Sequence, residues 1–224
     1  MTCTAVVVAA GSASRMKGID KTVAPIGGVP LILRTVEALA RSERITDILV
    51  VTREDLIPEV SRLCGAVAKL SAVIAGGSSR SESVSKGLRQ ATGELVAIHD
   101  GARPFVTGEL IDRTVSAAEE VGGAAPAIPV KDTIKVAQGA RIQSTPDRST
   151  LFAVQTPQVF YREEILKALT FATEQGIPLT DDCSAAEAMG MPVVLTEGSE
   201  ENIKITTPMD LILGEAILKR RSES

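Results

Sequence analysis

The chain has 224 residues, 44% of them apolar, enough to bury roughly 70% of the surface that the unfolded chain would expose, which excludes intrinsic disorder. Lys+Arg 24 against Asp+Glu 28 leaves a formal net charge of -4, and aromatics are only 2% with no Trp, so both the electrostatics and the stacking platforms of a general nucleic-acid binder are missing. Cys3, Cys64 and Cys183 are scattered, no apolar run approaches the ~20 residues of a membrane span, and Met1–Thr4 lacks a basic leader, so the expectation is a cytoplasmic protein with no disulfides, no membrane partner and no nucleic-acid partner.

The Val-rich run Ala5–Ala9 predicts a strand buried on both faces, opening into the small-residue loop Gly11-Ser12-Ala13-Ser14. A helix follows at Pro30–Leu39, with Pro in its first turn and apolar residues at helical spacing. Strands are then predicted at Ile45–Val51, Val67–Ala75, Leu95–Ile98 and Ala124–Ile128, alternating with helices at Glu54–Leu63, Ser81–Gln90 and Glu109–Glu120. That alternation predicts a doubly wound α/β fold, Rossmann-like, with a mostly parallel sheet covered on both sides. The rhythm breaks between Pro129 and Gln158, where Thr133–Val136 and Phe152–Val154 are expected as strands and Gln138-Gly139 as a turn. We expect one domain over 1–224, with 130–157 as a strand-rich insertion that forms either a projecting arm or an antiparallel edge extension of the sheet. Helices at Glu163–Glu174 and Asp182–Met189, strands at Val193–Thr196 and Ile203–Ile205, and a helix led by Thr207-Pro208 complete the chain.

Ligands of such sheets bind beyond the carboxyl ends of the strands, so the polar residues after each predicted strand are the candidates. Ala9-Ala10-Gly11-Ser12-Ala13-Ser14-Arg15 places small residues where backbone N–H groups could approach a polyphosphate, with Arg15 and Lys21 beyond. It lacks the Gly-Lys-Ser/Thr ending of a Walker loop and the spacing of a dinucleotide fingerprint, and plain turn chemistry is the other reading. Two cations beside an anion cradle suit nucleotidyl transfer, in which charge builds on α-phosphate oxygens during in-line attack. In His99-Asp100-Gly101-Ala102-Arg103-Pro104, Asp100 either holds Mg²⁺ with phosphates and water or caps a turn and pairs with Arg103. His99, the only histidine, is expected as a hydrogen-bonded core group, because a phosphomonoester nucleophile needs no base. Asp181-Asp182 either binds metal or, as acidic pairs at a helix start usually do, complements the helix dipole, and Gln155-Thr156-Pro157-Gln158 either lines a pocket or turns the chain.

Taken in order, these blocks, with Gly76-Gly77 through Arg80 and Ser83, Pro129-Val130-Lys131-Asp132-Thr133, Asp147-Arg148 and Asn202-Ile203-Lys204, resemble the 2-C-methyl-D-erythritol 4-phosphate cytidylyltransferases over nearly the whole chain. The resemblance implies transfer of CMP from CTP to a sugar-alcohol phosphate with Mg²⁺ as cofactor. It implies that Arg15 and Lys21 stabilise the transition state, that Asp100 lies near metal and ribose, and that Ala9, Ala10 and Gly11 hold the triphosphate. Gly76, Gly77, Ser78 and Ser83 match the base- and ribose-recognising loop, with Gly101 beside Asp100 on the nucleotide side. Thr133, Arg148, Lys204 and Arg103 match the acceptor side. In the family the arm reaches a second subunit, which implies a homodimer in which Thr133 and Arg148 serve the partner's site. Two positions depart from the pattern: Asp20-Lys21-Thr22 replaces the usual Pro-Lys-Gln, and Ser78 stands where an acidic residue is common. The alternatives are a ribitol 5-phosphate cytidylyltransferase, a sugar-1-phosphate nucleotidyltransferase using UTP or GTP, and a non-catalytic nucleotide-binding protein of the same fold.

Overall fold

The computed structural model describes residues 1–11 and 22–223. The first strand, β1 (Cys3–Val8), forms from the Val-rich run and is buried along nearly its whole length. Beyond the undescribed residues comes a small hairpin, β2 (Pro25–Ile26) and β3 (Val29–Pro30). Its turn is Gly27-Gly28 with φ of 57 and 72°, the paired left-handed conformation that a two-residue hairpin turn requires and that glycine adopts without a Cβ clash. Helix α1 (Leu31–Ala40), β4 (Asp47–Thr52), α2 (Ile57–Cys64), β5 (Leu70–Ala75), α3 (Arg80–Gln90), β6 (Leu95–Asp100), α4 (Gly108–Val121) and β7 (Gly123–Pro129) then alternate as the sequence predicts.

After β7 the chain makes a ribbon, β8 (Val136–Gln138) and β9 (Arg141–Ser144), which forms its own two-stranded sheet with every residue exposed. β10 (Phe152–Val154) and β11 (Gln158–Tyr161) follow, then α5 (Arg162–Glu174), α6 (Asp182–Ala188), β12 (Val194–Glu197) and α7 (Pro208–Glu223). Of the segment 130–157, therefore, residues 136–144 stand apart as the ribbon, whereas 152–154 pair antiparallel with β7 in the central sheet.

In that sheet β5, β4, β1 and β6 are parallel neighbours, with Val6 of β1 facing Leu49 of β4 and Ile98 of β6. β11 runs antiparallel between β6 and β7, and β12 pairs parallel with β7. Strand alternation sorts the core into two layers. Ala5 and Val7 of β1 and Leu95 and Ala97 of β6 pack under α1, α2 and α4, while Val6, Val96 and Ile98 pack under α3, α5 and α6. A smaller cluster of Ile26, Leu31, Phe105, Ile205 and Ile217 anchors α7.

Three local expectations change. The strand expected at Thr133–Val136 begins only at Val136, because Thr133–Lys135 run in irregular exposed chain. Gln158, expected with Gln155-Thr156-Pro157 as pocket lining or turn, instead opens the central strand Gln158–Tyr161. Ile203–Ile205 is not a strand: its apolar pattern serves the small α7 cluster, and its backbone joins the rest of the fold through Ile205 N–H donating to Ala102 O. The three cysteines are free and buried, and burial pushes the thiols up, to about 12 for Cys3 and about 11 for Cys64, so they serve as packing groups.

Candidate active site

The parallel pairing of β1 with β6 sets Val8 beside Asp100, so the residues that leave both strands emerge together at one end of the sheet. A cavity of about 440 Å³ opens there. It is lined by Ala9, Ala10 and Gly11 after β1, by Gly77, Ser78, Arg80 and Ser83 after β5 and at the start of α3, by Asp100 and Gly101 at the end of β6, and by Lys204. Gly76 makes the close approach of the two loops possible, since a Cβ there would lie 2.5 Å from the Ala10 Cβ. The structure thus brings Ala9, Ala10, Gly11, Gly76, Gly77, Ser78, Ser83, Asp100, Gly101 and Lys204 into one place. Arg15 and Lys21 lie outside the described residues. Gly11 and Thr22, which bracket that segment, both line the cavity.

Asp100 is the electrostatic centre. Its Oδ2 accepts Lys204 Nζ at 2.8 Å and faces Arg103 Nε at 3.5 Å, while its Oδ1 faces Arg80 Nε at 3.7 Å. Burial pushes this carboxyl up, but Lys204 and Arg80 outweigh it and hold it at about 2, so it is ionised at any working pH. Arg80 in turn makes a two-pronged contact with Asp182, at 3.0 and 2.7 Å, and Arg103 donates to the backbone oxygen of Asn202 at 2.6 Å. Three cations are therefore held in fixed positions by two carboxylates and a carbonyl, and two of them, Arg80 and Lys204, line the cavity where an anionic ligand could meet them.

Asp100 could also offer the one carboxylate that a Mg²⁺ ion needs when substrate phosphates and water complete its octahedron. Oδ2 is committed to Lys204, whereas among the described residues Oδ1 has no charged partner nearer than 3.7 Å and is the oxygen that could take a cation. Among the described residues no cluster of three His, Cys, Asp or Glu side chains offers an all-protein site. The donor set fits a metal that arrives with its nucleotide.

His99 is fully buried and has both ring nitrogens engaged. Nε2 lies 3.0 Å from Arg103 O, which only accepts, so Nε2 carries the proton. Burial holds the ring neutral, with its pKa down at about 4, so Nδ1 accepts from the Thr156 hydroxyl at 3.0 Å. Thr156 Oγ1 itself accepts the Asp100 backbone N–H at 3.1 Å. One directional chain thus runs from Asp100 through Thr156 and His99 to Arg103, and His99 is the core group the sequence suggested. We expect Thr156→Val to destabilise the fold by about 2 kcal/mol, because it strands the buried Asp100 N–H and the His99 Nδ1 lone pair while conserving shape. Urea unfolding at pH 7 checks this.

Thr133 and Arg148 are not in this cavity. Arg148 lies at the base of the ribbon beside Asp147 and Phe152 and donates to Lys131 O at 2.8 Å, and Thr133 is exposed. The structure gives specific partners to groups that the sequence showed only as polar clusters. Asp182 is a buried partner for Arg80 rather than a helix-dipole residue; Asp181 fills that role as the N-cap, in a capping box with Ser184. Asn202 binds Gln155 Oε1 and Thr156 O through its amide, fixing the loop that carries Lys204. No local signal announces these pairings, since each joins residues far apart in the chain.

With that geometry in view, the similarity to known proteins is specific. The family model for 2-C-methyl-D-erythritol 4-phosphate cytidylyltransferase matches residues 3–220. Enzymes of that name from Desulforamulus reducens and Geobacillus kaustophilus are 46% and 44% identical, each covering 97% of this chain, and 96% and 97% of their own lengths. The crystal structure of 4-diphosphocytidyl-2C-methyl-D-erythritol synthase from Anaerococcus prevotii superposes with a TM-score of 0.87 at 28% identity, covering 97% of this chain and 98% of its own. Sequence and fold converge: the chain belongs to the 2-C-methyl-D-erythritol 4-phosphate cytidylyltransferase family.

Proposed function

We propose that the protein transfers CMP from CTP to 2-C-methyl-D-erythritol 4-phosphate, forming 4-diphosphocytidyl-2-C-methyl-D-erythritol and pyrophosphate. The observation that carries this reading is the cluster of Arg80, Arg103 and Lys204 fixed around Asp100 in a cavity walled by Ala9–Gly11, in a chain of this family. An oxygen of the acceptor's phosphate attacks the α-phosphorus of CTP, and the bond from that phosphorus to the bridging oxygen breaks as pyrophosphate leaves. The nucleophile is already ionised near neutral pH, in keeping with a site whose single histidine is buried and engaged on both sides.

The remaining roles follow from this reading. Backbone N–H groups of Ala10 and Gly11 cradle the triphosphate, and Arg15 and Lys21 neutralise charge on the α-phosphate as it develops. Gly76, Gly77 and Ser78 face the base, Ser83 holds their loop, and Lys204 and Arg103 face the acceptor. Asp100 would hold Mg²⁺, which would supply charge neutralisation to the triphosphate. Thr133 and Arg148 lie on a surface that also exposes Ile134, Val136, Ile142, Phe152 and Val154, an apolar set suited to a second copy of the chain, whose site these two residues then complete. The buried free cysteines suit a reducing cytoplasm.

The test is an assay of the purified protein with Mg²⁺, each of CTP, UTP and GTP, and either methylerythritol phosphate or ribitol 5-phosphate. We expect pyrophosphate release to require CTP and methylerythritol phosphate together. Faster turnover of ribitol 5-phosphate would overturn the acceptor, and nucleotide binding without release under any pairing would overturn catalysis.

A further inference from the structure

Ser78 lines the cavity, on the side that the cytidylyl-transfer reading gives to the base, and Glu82, one turn into α3, folds back onto it. A single oxygen, Glu82 Oε2, accepts both the Ser78 backbone N–H and the Ser78 hydroxyl, each at 2.7 Å. The other carboxylate oxygen lies 3.3 Å from Lys86 Nζ, and Lys86 also donates to Gly76 O at 2.9 Å, so one lysine ties carboxylate and loop together. Gly77 admits this arrangement, because a Cβ there would stand 2.3 Å from Glu82 Cδ. Ordinary helix capping does not account for it. A glutamate at the third helical position normally reaches the N–H of the N-cap residue, here Ser79, whereas Glu82 passes it and takes the residue before.

The consequence lies in what Ser78 has left to offer. A hydroxyl carries one proton and two lone pairs. With the proton directed at an acceptor-only carboxylate and the backbone N–H spent on the same oxygen, Ser78 presents only lone pairs to the cavity. Ser83 is likewise committed, donating to Ser79 O at 2.8 Å and accepting from Gly77 N–H at 3.0 Å. At position 4 cytosine carries an amino donor where uracil carries a carbonyl acceptor, while the neighbouring N3 accepts in cytosine and donates in uracil, so an acceptor favours cytosine when it meets position 4. We propose that Glu82 is a specificity-determining positioning residue, which fixes the Ser78 hydroxyl as a hydrogen-bond acceptor and so selects a cytosine amino group over a uracil carbonyl. This inference rests on the cytidylyl-transfer reading above, and it explains how a chain with serine at 78 meets a cytosine without an acidic side chain at that position. The carboxylate sits one turn away and acts through the serine.

The experiment compares kcat/KM for CTP and UTP in the parent, Glu82→Ala, Glu82→Gln, Ser78→Ala and the Glu82→Ala/Ser78→Ala double variant, with thermal unfolding of each as a control. Glu82→Ala frees the hydroxyl to donate, and the CTP-to-UTP ratio should fall about tenfold, chiefly through a higher KM for CTP. Glu82→Gln, whose amide oxygen still accepts, should retain most of the ratio, and the double variant should lose no more than Ser78→Ala alone. A helix-cap role would lower both nucleotides alike. An unchanged ratio in Glu82→Ala, or losses that multiply in the double variant, would overturn the assignment. Dissociation constants for both nucleotides by calorimetry give the same ratio without turnover, so a chain that binds CTP but transfers nothing would defeat the transfer reading while the selectivity test still returns its own answer.

Discussion

Asp100→Asn is expected to lower kcat for cytidylyl transfer by about 10²–10³-fold, the scale of losing one fixed electrostatic partner in a preorganised site. The substitution conserves shape and removes only charge. Lys204, 39% exposed at its side chain, then loses the 2.8 Å anchor that aims it into the cavity, and Arg103 and Arg80 lose their shared counter-ion. A neutral amide is also a poor ligand for Mg²⁺. The same change should alter the acid limb of stability. Because Asp100 sits at about 2 against an ordinary value of 3.8, the stability it contributes is fully present above pH 3.8 and disappears as pH falls toward 2. That contribution is on the order of 2 kcal/mol. Urea midpoints between pH 5 and pH 2 should therefore fall more gently in Asp100→Asn than in the parent. A kcat within tenfold of the parent value would remove Asp100 from the centre of the site.

The split between what sequence revealed and what it concealed follows the range of the interactions. β1 and β6 announce themselves as Val- and Ile-rich runs, and the residues that follow them, Ala9–Gly11 and Asp100–Gly101, were identifiable because parallel sheets put their chemistry at strand ends. β11 did not announce itself. Its four residues follow a Thr-Pro pair and run straight into α5, a pattern that reads as a turn until β6 and β7 are in place on either side. Ile203–Ile205 misled in the opposite sense, since alternating apolar residues pack equally well in a satellite core without strand partners. The electrostatic skeleton was least visible. Arg80 and Asp182 are 102 positions apart, and an acidic pair at a helix start gives no sign of which carboxylate turns inward.

That long-range pair supports the second large effect. Arg80→Ala should destabilise the fold by about 3 kcal/mol near neutral pH, toward the lower end for a broken buried pair because the Arg80 side chain is itself 31% exposed. Asp182 has no such access to water: its side chain is 1% exposed, and burial already pushes its carboxyl above the ordinary value against the pull of Arg80. Without the guanidinium it rises further, so the folded variant keeps a proton that the unfolded chain has released. Stability of the variant then declines as pH rises above about 4, the ordinary carboxylate range, and its deficit relative to the parent widens from acid toward neutral pH. Urea unfolding at pH 5 and pH 8 measures that widening. Adding Asp182→Ala should restore part of the loss, because an apolar side chain there leaves no stranded charge. A deficit equal at both pH values, with no recovery in the double variant, would mean that Arg80 stabilises the fold by packing its aliphatic stem rather than by pairing with Asp182.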